Sequence, residues 1–258
     1  MNSTFDLEGQ VAIVTGGAGL LGTAVSEGLA EHGATVVVAD VADTRGPHLA
    51  QQLETDSKYL PVDVTSEDAV GAMVDTVLDE FGRIDTLVNC AYPRNENYGQ
   101  PYEAVGIDDW RENVDLHLSS YYVPTHAVSD VMRAQDDGGS IINFGSIYGI
   151  QAPDFSVYAG TEMTSPVEYS AIKGAIVNFS RYLASYLGSE GVRVNAISPG
   201  GVFDDQPSAF VDRYESRTPL GRMAHPDDFK GAVVFLASDA SAYVTGHNLR
   251  VDGGWTIC

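Results

Sequence analysis

Apolar runs alternate with amphipathic stretches along the whole chain. The apolar runs are typical of strands: QVAIVT (10–15), ATVVVAD (34–40), KYLPVDV (58–64), RIDTLVNC (83–90), GSIINFGS (139–146), VRVNAIS (192–198) and HNLRVDG (247–253). Between them lie stretches with helical periodicity, such as 22–33, 68–82 and 168–188. Continuous apolar strands that alternate with helices indicate a parallel sheet covered on both faces.

Right-handed crossovers between such strands give a doubly wound α/β sheet of the Rossmann type. The chain has 258 residues, which fits one large domain better than two small ones. We therefore predict a single domain over residues 1–258, with a parallel sheet and helices on both of its faces.

The net charge of the chain excludes some classes of binding partner. Acidic residues outnumber basic ones 36 to 14, and the net charge is −22. Nucleic acid and anionic membranes both require a basic surface, so neither is an expected partner. The acidity is typical either of a salt-rich habitat or of a protein kept soluble by self-repulsion. No run of 18 apolar residues is present, and MNSTFDLEGQ lacks the features of a signal peptide, so we expect a cytoplasmic protein.

A glycine cluster, TGGAGLLG (15–22), separates the first predicted strand from the first predicted helix. Glycines allow a tight turn and a close backbone approach to a ligand, and the helix N-terminus offers N–H groups to a pyrophosphate. Asp40 ends the next strand, where a carboxylate can accept hydrogen bonds from a ribose. Asp63 follows the third strand and can meet the adenine edge. These positions together predict a bound dinucleotide.

The full set of motifs resembles the short-chain dehydrogenase/reductase family over nearly the whole chain. The motifs that carry the resemblance are TGGAGLLG, Asp63-Val64, Asn89-Cys90-Ala91, Ser146, Tyr169-x-x-x-Lys173, Pro199-Gly200 and VDGGW. The resemblance implies an enzyme that interconverts an alcohol and a ketone with a nicotinamide cofactor. It also implies a homotetramer or homodimer formed through helices at roughly 108–134 and 166–188, and no metal site.

By this resemblance, the cofactor-binding residues are expected to be Gly16, Gly19, Leu21, Gly22, Asp40, Asp63, Val64, Asn89, Ala91, Tyr169, Lys173, Pro199, Gly200 and Val202. The expected cofactor is NAD rather than NADP. Asp40 would repel a 2′-phosphate, and the glycine loop contains no cation to receive one. Arg45 is the one nearby cation, several residues beyond the strand end.

Tyr169 and Lys173 are four positions apart, so on a helix they share one face. Tyrosine has a pKa of about 10 and is a poor base at neutral pH. A nearby ammonium and an oxidised nicotinamide both lower that pKa, which lets the phenol exchange a proton with an alcohol. The resemblance makes Lys173 a ligand of the nicotinamide ribose as well. Ser146 is expected to donate a hydrogen bond to the substrate oxygen.

Several positions depart from the usual family pattern. Leu20 replaces the middle glycine of the loop, and Asp204 stands where a threonine is common. His117 aligns with an asparagine that holds a proton-relay water; it can replace that asparagine, carry protons itself or be purely structural. Ser146 and Tyr169 are 23 positions apart, further than in most members. That longer spacing is similar to the one in flagellin-modification and sugar-biosynthesis oxidoreductases.

Three polar and aromatic loops are expected to form the substrate site, at about 92–107, 150–167 and 202–219. Their candidate substrate residues are Arg94, Tyr158 and Glu162. Arginines in these loops could hold a carboxylate or phosphate, or could balance local acids. We predict an NAD-dependent oxidoreductase of a polar, carbohydrate-like small molecule, with Tyr169 as general acid and base. The alternatives are a regulatory dinucleotide-binding protein that has lost turnover, and a reductase of a non-sugar ketone.

Overall fold

The computed structural model describes residues 3–258, and in this part of the chain seven strands form one parallel sheet. The strands are β1 (Val11–Thr15), β2 (Thr35–Asp40), β3 (Lys58–Pro61), β4 (Thr86–Asn89), β5 (Gly139–Phe144), β6 (Val192–Pro199) and β7 (Asn248–Val251). Their order across the sheet is β3-β2-β1-β4-β5-β6-β7. The direction of winding reverses between β1 and β4, and doubly wound sheets open a ligand crevice at such a point.

The α-helices of the described residues cover this sheet. They are α1 (Leu20–Glu31), α2 (Arg45–Gln52), α3 (Glu67–Phe81), α4 (Ile107–Ala134), α5 (Val167–Leu187), α6 (Ser208–Glu215) and α7 (Lys230–Ala237). Local sequence sets their ends. For example, Ser66 caps α3 by accepting a hydrogen bond from the Ala69 N–H at 3.3 Å, and Gly82 ends that helix with a φ of +75°.

Both faces of the sheet are buried, as predicted from the continuous apolar strands. Along β1, Ala12 and Val14 belong to a core cluster that includes residues of α1 and α7. Val11 and Ile13 point the other way, into a cluster with α3, α4 and α5. This alternation is the two-residue period of a strand. The predicted doubly wound Rossmann-type fold is therefore confirmed.

Strand limits differ from the prediction by a few residues. The prediction continued the third strand to residue 64, but β3 ends at Pro61, after which the Val62 N–H makes one further bond to the Asp40 oxygen at 3.2 Å. The predicted fourth strand, 83–90, is shortened to Thr86–Asn89. No helix among residues 3–258 is both long enough and apolar enough to cross a membrane.

Candidate active site

A cleft of about 1000 Å³ opens at the carboxyl ends of the strands. It is lined by residues that end or follow five of them: Gly16, Asp40, Ala91, Ser146 and Gly200. Residues of all three predicted substrate loops also border it. The topology thus gathers the sequence motifs, which are far apart along the chain, at one edge of the sheet.

The loop between β1 and α1 requires glycine for steric reasons. Gly16 has a φ of +63°, and a Cβ at this position would lie 2.7 Å from the Cα of Ala91. A Cβ at Gly22 would lie 2.1 Å from the Gly16 carbonyl oxygen. No side chain caps the start of α1, so its first N–H groups are available to an anion. A dinucleotide pyrophosphate fits this loop, whose predicted binding residues all line the cleft: Gly16, Gly19, Leu21 and Gly22.

Asp40 is held in place by backbone groups at the end of β2. Its Oδ2 accepts a hydrogen bond from the Ala18 N–H, and its Oδ1 accepts one from the Ala42 N–H, each at 2.9 Å. A carboxylate keeps further acceptor capacity, so ribose hydroxyls can still bind it. Arg45, the first residue of α2, lines the same cleft, although the sequence placed it several residues beyond the strand end. An anion and a cation therefore both border the site.

Asp63 also lines the cleft, and its Oδ1 accepts hydrogen bonds from Thr65, from the N–H at 3.0 Å and from the hydroxyl at 2.7 Å. The other predicted cofactor residues that line the cleft are Val64, Ala91, Tyr169, Lys173, Pro199, Gly200 and Val202. Asp204, the departure from the family threonine, lines it too.

Asn89 requires a correction. Its side chain is fully buried and does not line the cleft. The Nδ2 atom donates to the Asn143 Oδ1 at 2.8 Å and to the Thr125 Oγ1 at 3.0 Å. The side chain therefore joins β4 to β5 and α4, because a buried amide must find partners within the core. Its position does not fit direct contact with a cofactor.

Ser146, Tyr169 and Lys173 meet in the cleft. Ser146 follows β5, and its Oγ accepts a hydrogen bond from the Tyr148 N–H at 3.1 Å. Tyr169 and Lys173 lie one turn apart near the start of α5. The Nζ of Lys173 is 5.8 Å from the centre of the Tyr169 ring, and it donates to the Tyr121 hydroxyl at 3.1 Å.

Burial shifts the pKa values of both Tyr169 and Lys173. It raises the pKa of Tyr169, and hydrogen bonding with Ser146 opposes that shift. It also lowers the pKa of Lys173 to about 7. The net shift of the Tyr169 pKa is upward because desolvation is the largest effect, and the predicted lowering by Lys173 together with an oxidised nicotinamide stays a prediction. The Lys173 ammonium is directed at the backbone oxygen of Phe144, 2.7 Å away.

His117 lies in α4 behind the cleft and is 1% exposed. Its ring centre is 4.7 Å from that of Tyr92 and 5.8 Å from that of Tyr121. Burial, with the charges of Lys173 and Arg94, lowers the pKa of His117 to about 2. Burial therefore favours the neutral ring. Its Nε2 has no partner among the described residues, which fits either a bound water or a packing role.

Aromatic side chains form the wall of the cleft beyond Ser146. The Tyr158 hydroxyl donates to the Tyr148 hydroxyl at 3.3 Å, and the Tyr158 ring lies 5.2 Å from that of Phe210. Tyr158 therefore lies where the sequence predicted a substrate residue. Glu162 does not: it is exposed and outside the lining of the cleft, so its predicted substrate contact is corrected.

The segment 150–167 packs against α6 instead of extending into solvent. Val157 and Met163 join an apolar cluster with Phe210 of α6. An ion pair connects Asp154 to Arg217, just beyond α6. Two of the predicted substrate loops are thus joined beside the cleft.

Three residues that contribute to the site were not predicted from the sequence. Tyr92 lines the cleft, Tyr121 holds the Lys173 ammonium, and Asn113 binds the loop after β4 through Asn95. A signal was present for two of them. Asn113, His117 and Tyr121 are spaced by four residues, so they share one face of α4.

Comparison with known proteins agrees with this geometry. A family model described as enoyl-(acyl carrier protein) reductase matches residues 17–256. The post-translational flagellin modification protein A of Campylobacter coli is 32% identical, covering 97% of this chain and 100% of that protein. The D-threitol dehydrogenase of Mycolicibacterium smegmatis is 36% identical, covering 98% and 95%. A 3-oxoacyl-(acyl-carrier-protein) reductase of Vibrio harveyi is 32% identical, covering 96% and 98%.

Solved structures share the whole fold. A short-chain dehydrogenase from Leptospira borgpetersenii with bound NAD⁺ superposes with a TM-score of 0.86 at 32% identity, covering 99% of this chain and 96% of that one. A gluconate 5-dehydrogenase from Burkholderia cenocepacia, in complex with NADP and tartrate, has a TM-score of 0.85 at 30% identity, covering 99% and 98%.

Proposed function

The chain belongs to the short-chain dehydrogenase/reductase family of NAD(P)-dependent oxidoreductases, and we propose that it interconverts a secondary alcohol and a ketone on a polar, carbohydrate-like molecule. The observation that carries the proposal is the meeting of Ser146, Tyr169 and Lys173 in the cleft that contains the glycine loop. Proton-transferring groups therefore border the place where a dinucleotide fits.

A nicotinamide in this cleft would accept or donate the hydride. The protein's part is the proton and the developing charge on oxygen. Tyr169 takes the hydroxyl proton during oxidation and returns it during reduction. Ser146 donates a hydrogen bond to the substrate oxygen and stabilises its negative charge. Lys173 holds a positive charge beside the phenol and favours its ionised form when a substrate is bound.

The wall of the cleft supports a polar substrate. Tyr92, Tyr148 and Tyr158 supply aromatic faces together with hydroxyl groups, which suits a hydroxylated carbon chain. A fatty-acyl or steroid substrate would need a more apolar wall. Among the relatives, the D-threitol dehydrogenase acts by its name on a polyol, and this supports the proposal. The 3-oxoacyl-(acyl-carrier-protein) reductase points to the competing class.

We further propose NAD as the cofactor. The fixed carboxylate of Asp40 would repel a 2′-phosphate at the site where it binds a ribose. Arg45 acts in the opposite direction because it lines the same cleft. Solved relatives hold NAD⁺ in one case and NADP in another, so the preference depends on this chain's own residues.

The proposed function is tested with a substrate panel. Polyols, sugar acids, sugar phosphates and their ketones are compared with 3-oxoacyl thioesters, each with NAD(H) and NADP(H), by following the absorbance of the reduced nicotinamide. We expect turnover on a member of the hydroxylated set, with NAD(H) preferred. Turnover on 3-oxoacyl thioesters alone would overturn the substrate class. Cofactor binding with no turnover on any compound would favour a regulatory protein.

A further inference from the structure

Arg94 extends from the loop after β4 into the lining of the cleft. Its guanidinium carbon lies 5.0 Å from the centre of the Tyr92 ring, which supports it by a cation–π contact. The same ring makes an edge contact with Tyr169, with the centres 5.8 Å apart. One aromatic ring thus separates the Arg94 cation from the catalytic phenol.

Arg94 takes part in none of the ion pairs formed within residues 3–258. Arg181, an exposed residue of α5, is likewise unpaired in this part of the chain, but it lies outside the cleft, whereas Arg94 lines it. Arg217, by contrast, is paired with Asp154. The substrate end of the cleft therefore presents a cation whose charge no carboxylate side chain neutralises.

The loop that carries this arginine is held against α4 by hydrogen bonds of its asparagines. The Asn95 N–H donates to the Asn113 Oδ1 at 3.0 Å, and the Asn113 Nδ2 returns a bond to the Asn95 Oδ1 at 3.1 Å. Asn95 also donates to Asp109 at 2.9 Å and to Glu112 at 2.8 Å, while Asn97 donates to Asp109 at 2.9 Å. These bonds fix the position of the loop that carries Arg94, while Arg94 itself forms no ion pair with these carboxylates.

We propose that Arg94 binds an anionic group, a carboxylate or a phosphate, that the polar substrate carries at a distance from its reacting carbon. The inference rests on the proposed function, because it assumes that the substrate reacts at Tyr169. A guanidinium presents paired N–H donors that match either anion. A chain with a net charge of −22 repels anions at long range, so recognition of one needs a local cation of this kind.

The test compares Arg94→Gln and Arg94→Lys with the wild type and with Arg181→Gln. Arg181 is an exposed residue of α5 outside the cleft, so its loss gives the same change in net charge. The probes are sorbitol, gluconate and sorbitol 6-phosphate, assayed with NAD. Loss of a hydrogen bond to a charged group predicts a roughly 10- to 100-fold lower kcat/KM for the anionic probe in Arg94→Gln. Arg94→Lys should recover part of this loss, and sorbitol should change less than about threefold.

The two anionic probes identify the source of the charge: a larger effect with gluconate indicates a carboxylate, and a larger effect with sorbitol 6-phosphate indicates a phosphate. Equal losses for sorbitol and both anions, or no loss with any probe, would overturn the role of Arg94 while leaving the oxidoreductase intact. If no probe is turned over, the proposed function itself is in question. In that case, the affinity of the NADH complex for each of the two anions is measured by calorimetry, in the wild type and in Arg94→Gln. Weaker binding in Arg94→Gln supports the role of Arg94. Binding that is undetectable in the wild type, or unchanged in the variant, overturns it.

Discussion

The Nζ atom of Lys173 donates a hydrogen bond to the backbone oxygen of Phe144 over 2.7 Å. Phe144 is the last residue of β5 and lies two positions before Ser146. The bond therefore connects the helix that carries Tyr169 to the strand end that carries Ser146. It also keeps an ammonium group in the core, where desolvation lowers its pKa to about 7.

This burial predicts a pH-dependent stability. The folded pKa of about 7 lies below the unfolded value near 10.5, so the unfolded chain binds more protons between these values and stability rises with pH there. The cost of burying the charge is fully present below about pH 7. Relative to Lys173→Met, the wild type should gain roughly 2 to 3 kcal/mol in free energy of unfolding between about pH 6 and pH 9.

Urea denaturation of both proteins at several pH values measures this difference, and Lys58→Met serves as the control. Lys58 is half-exposed and pairs with Glu80 at the surface, so its removal should give a stability difference that changes little over this range. A constant difference between the wild type and Lys173→Met would show that the ammonium is not desolvated.

Asp40 is expected to control the choice of cofactor. Asp40→Ser removes the charge that opposes a 2′-phosphate and leaves Arg45 in the cleft to receive one. We expect the preference for NADH over NADPH to be tenfold or more in the wild type and to fall by at least roughly tenfold in the variant. Fluorescence titration with both cofactors measures it. The control is Asp43→Ser, which removes an exposed charge outside the cleft and should change neither affinity.

An unchanged preference in Asp40→Ser would mean that other groups select the cofactor. Equal affinities for the two cofactors in the wild type would contradict the proposal for NAD directly.

The substrate wall predicts a contrast between two residues of the segment 150–167. Tyr158 lines the cleft, and its hydroxyl bonds that of Tyr148. Tyr158→Phe keeps the packing on Phe210 but removes this hydroxyl, so the Michaelis constant for the substrate should rise by roughly three- to tenfold, the scale of one neutral hydrogen bond. NADH affinity should not change.

Glu162→Gln provides the internal comparison, because the exposed Glu162 lies outside the cleft and its loss should leave kinetics at the wild-type level. Steady-state kinetics on the substrate found in the panel would measure both variants. An effect of Glu162→Gln larger than that of Tyr158→Phe would contradict the geometry of the wall.

The fold and most of the cleft could be predicted from the sequence because both depend on short-range patterns. The apolar strands indicate a buried parallel sheet, and its carboxyl edge gathers the residues that follow each strand. Gly16 and Gly22 are required because a Cβ at these positions would lie 2.7 and 2.1 Å from backbone atoms, and a glycine motif indicates this directly. Asp40 was placed correctly for the same reason, since it ends a strand.

The predictions that failed depend on side-chain direction and on solvation, and the spacing of residues along the sequence indicates neither. Asn89 follows the expected motif, yet its amide faces Asn143 in the core. Glu162 lies four residues after Tyr158, which lines the cleft, but its own side chain is exposed. The burial that raises the pKa of Tyr169 was also missed, because the sequence gives charges and no measure of desolvation.

Assembly stays a prediction. The homotetramer or homodimer expected from the family would use α4 and α5, and Ile176 and Leu187 of α5 are buried within the chain itself. Tyr182 and Tyr186 of the same helix are 64% and 59% exposed, so they are the apolar surface that an interface would cover.

We propose above all that Tyr169 transfers the proton during hydride chemistry. The most direct measurement is the turnover of Tyr169→Phe on the substrate found in the panel, with NADH binding measured in parallel by fluorescence. Loss of a general acid–base predicts a fall in kcat of at least about a hundredfold, with NADH affinity retained because the aromatic ring remains. Near-normal turnover in a variant that still binds NADH would contradict the account.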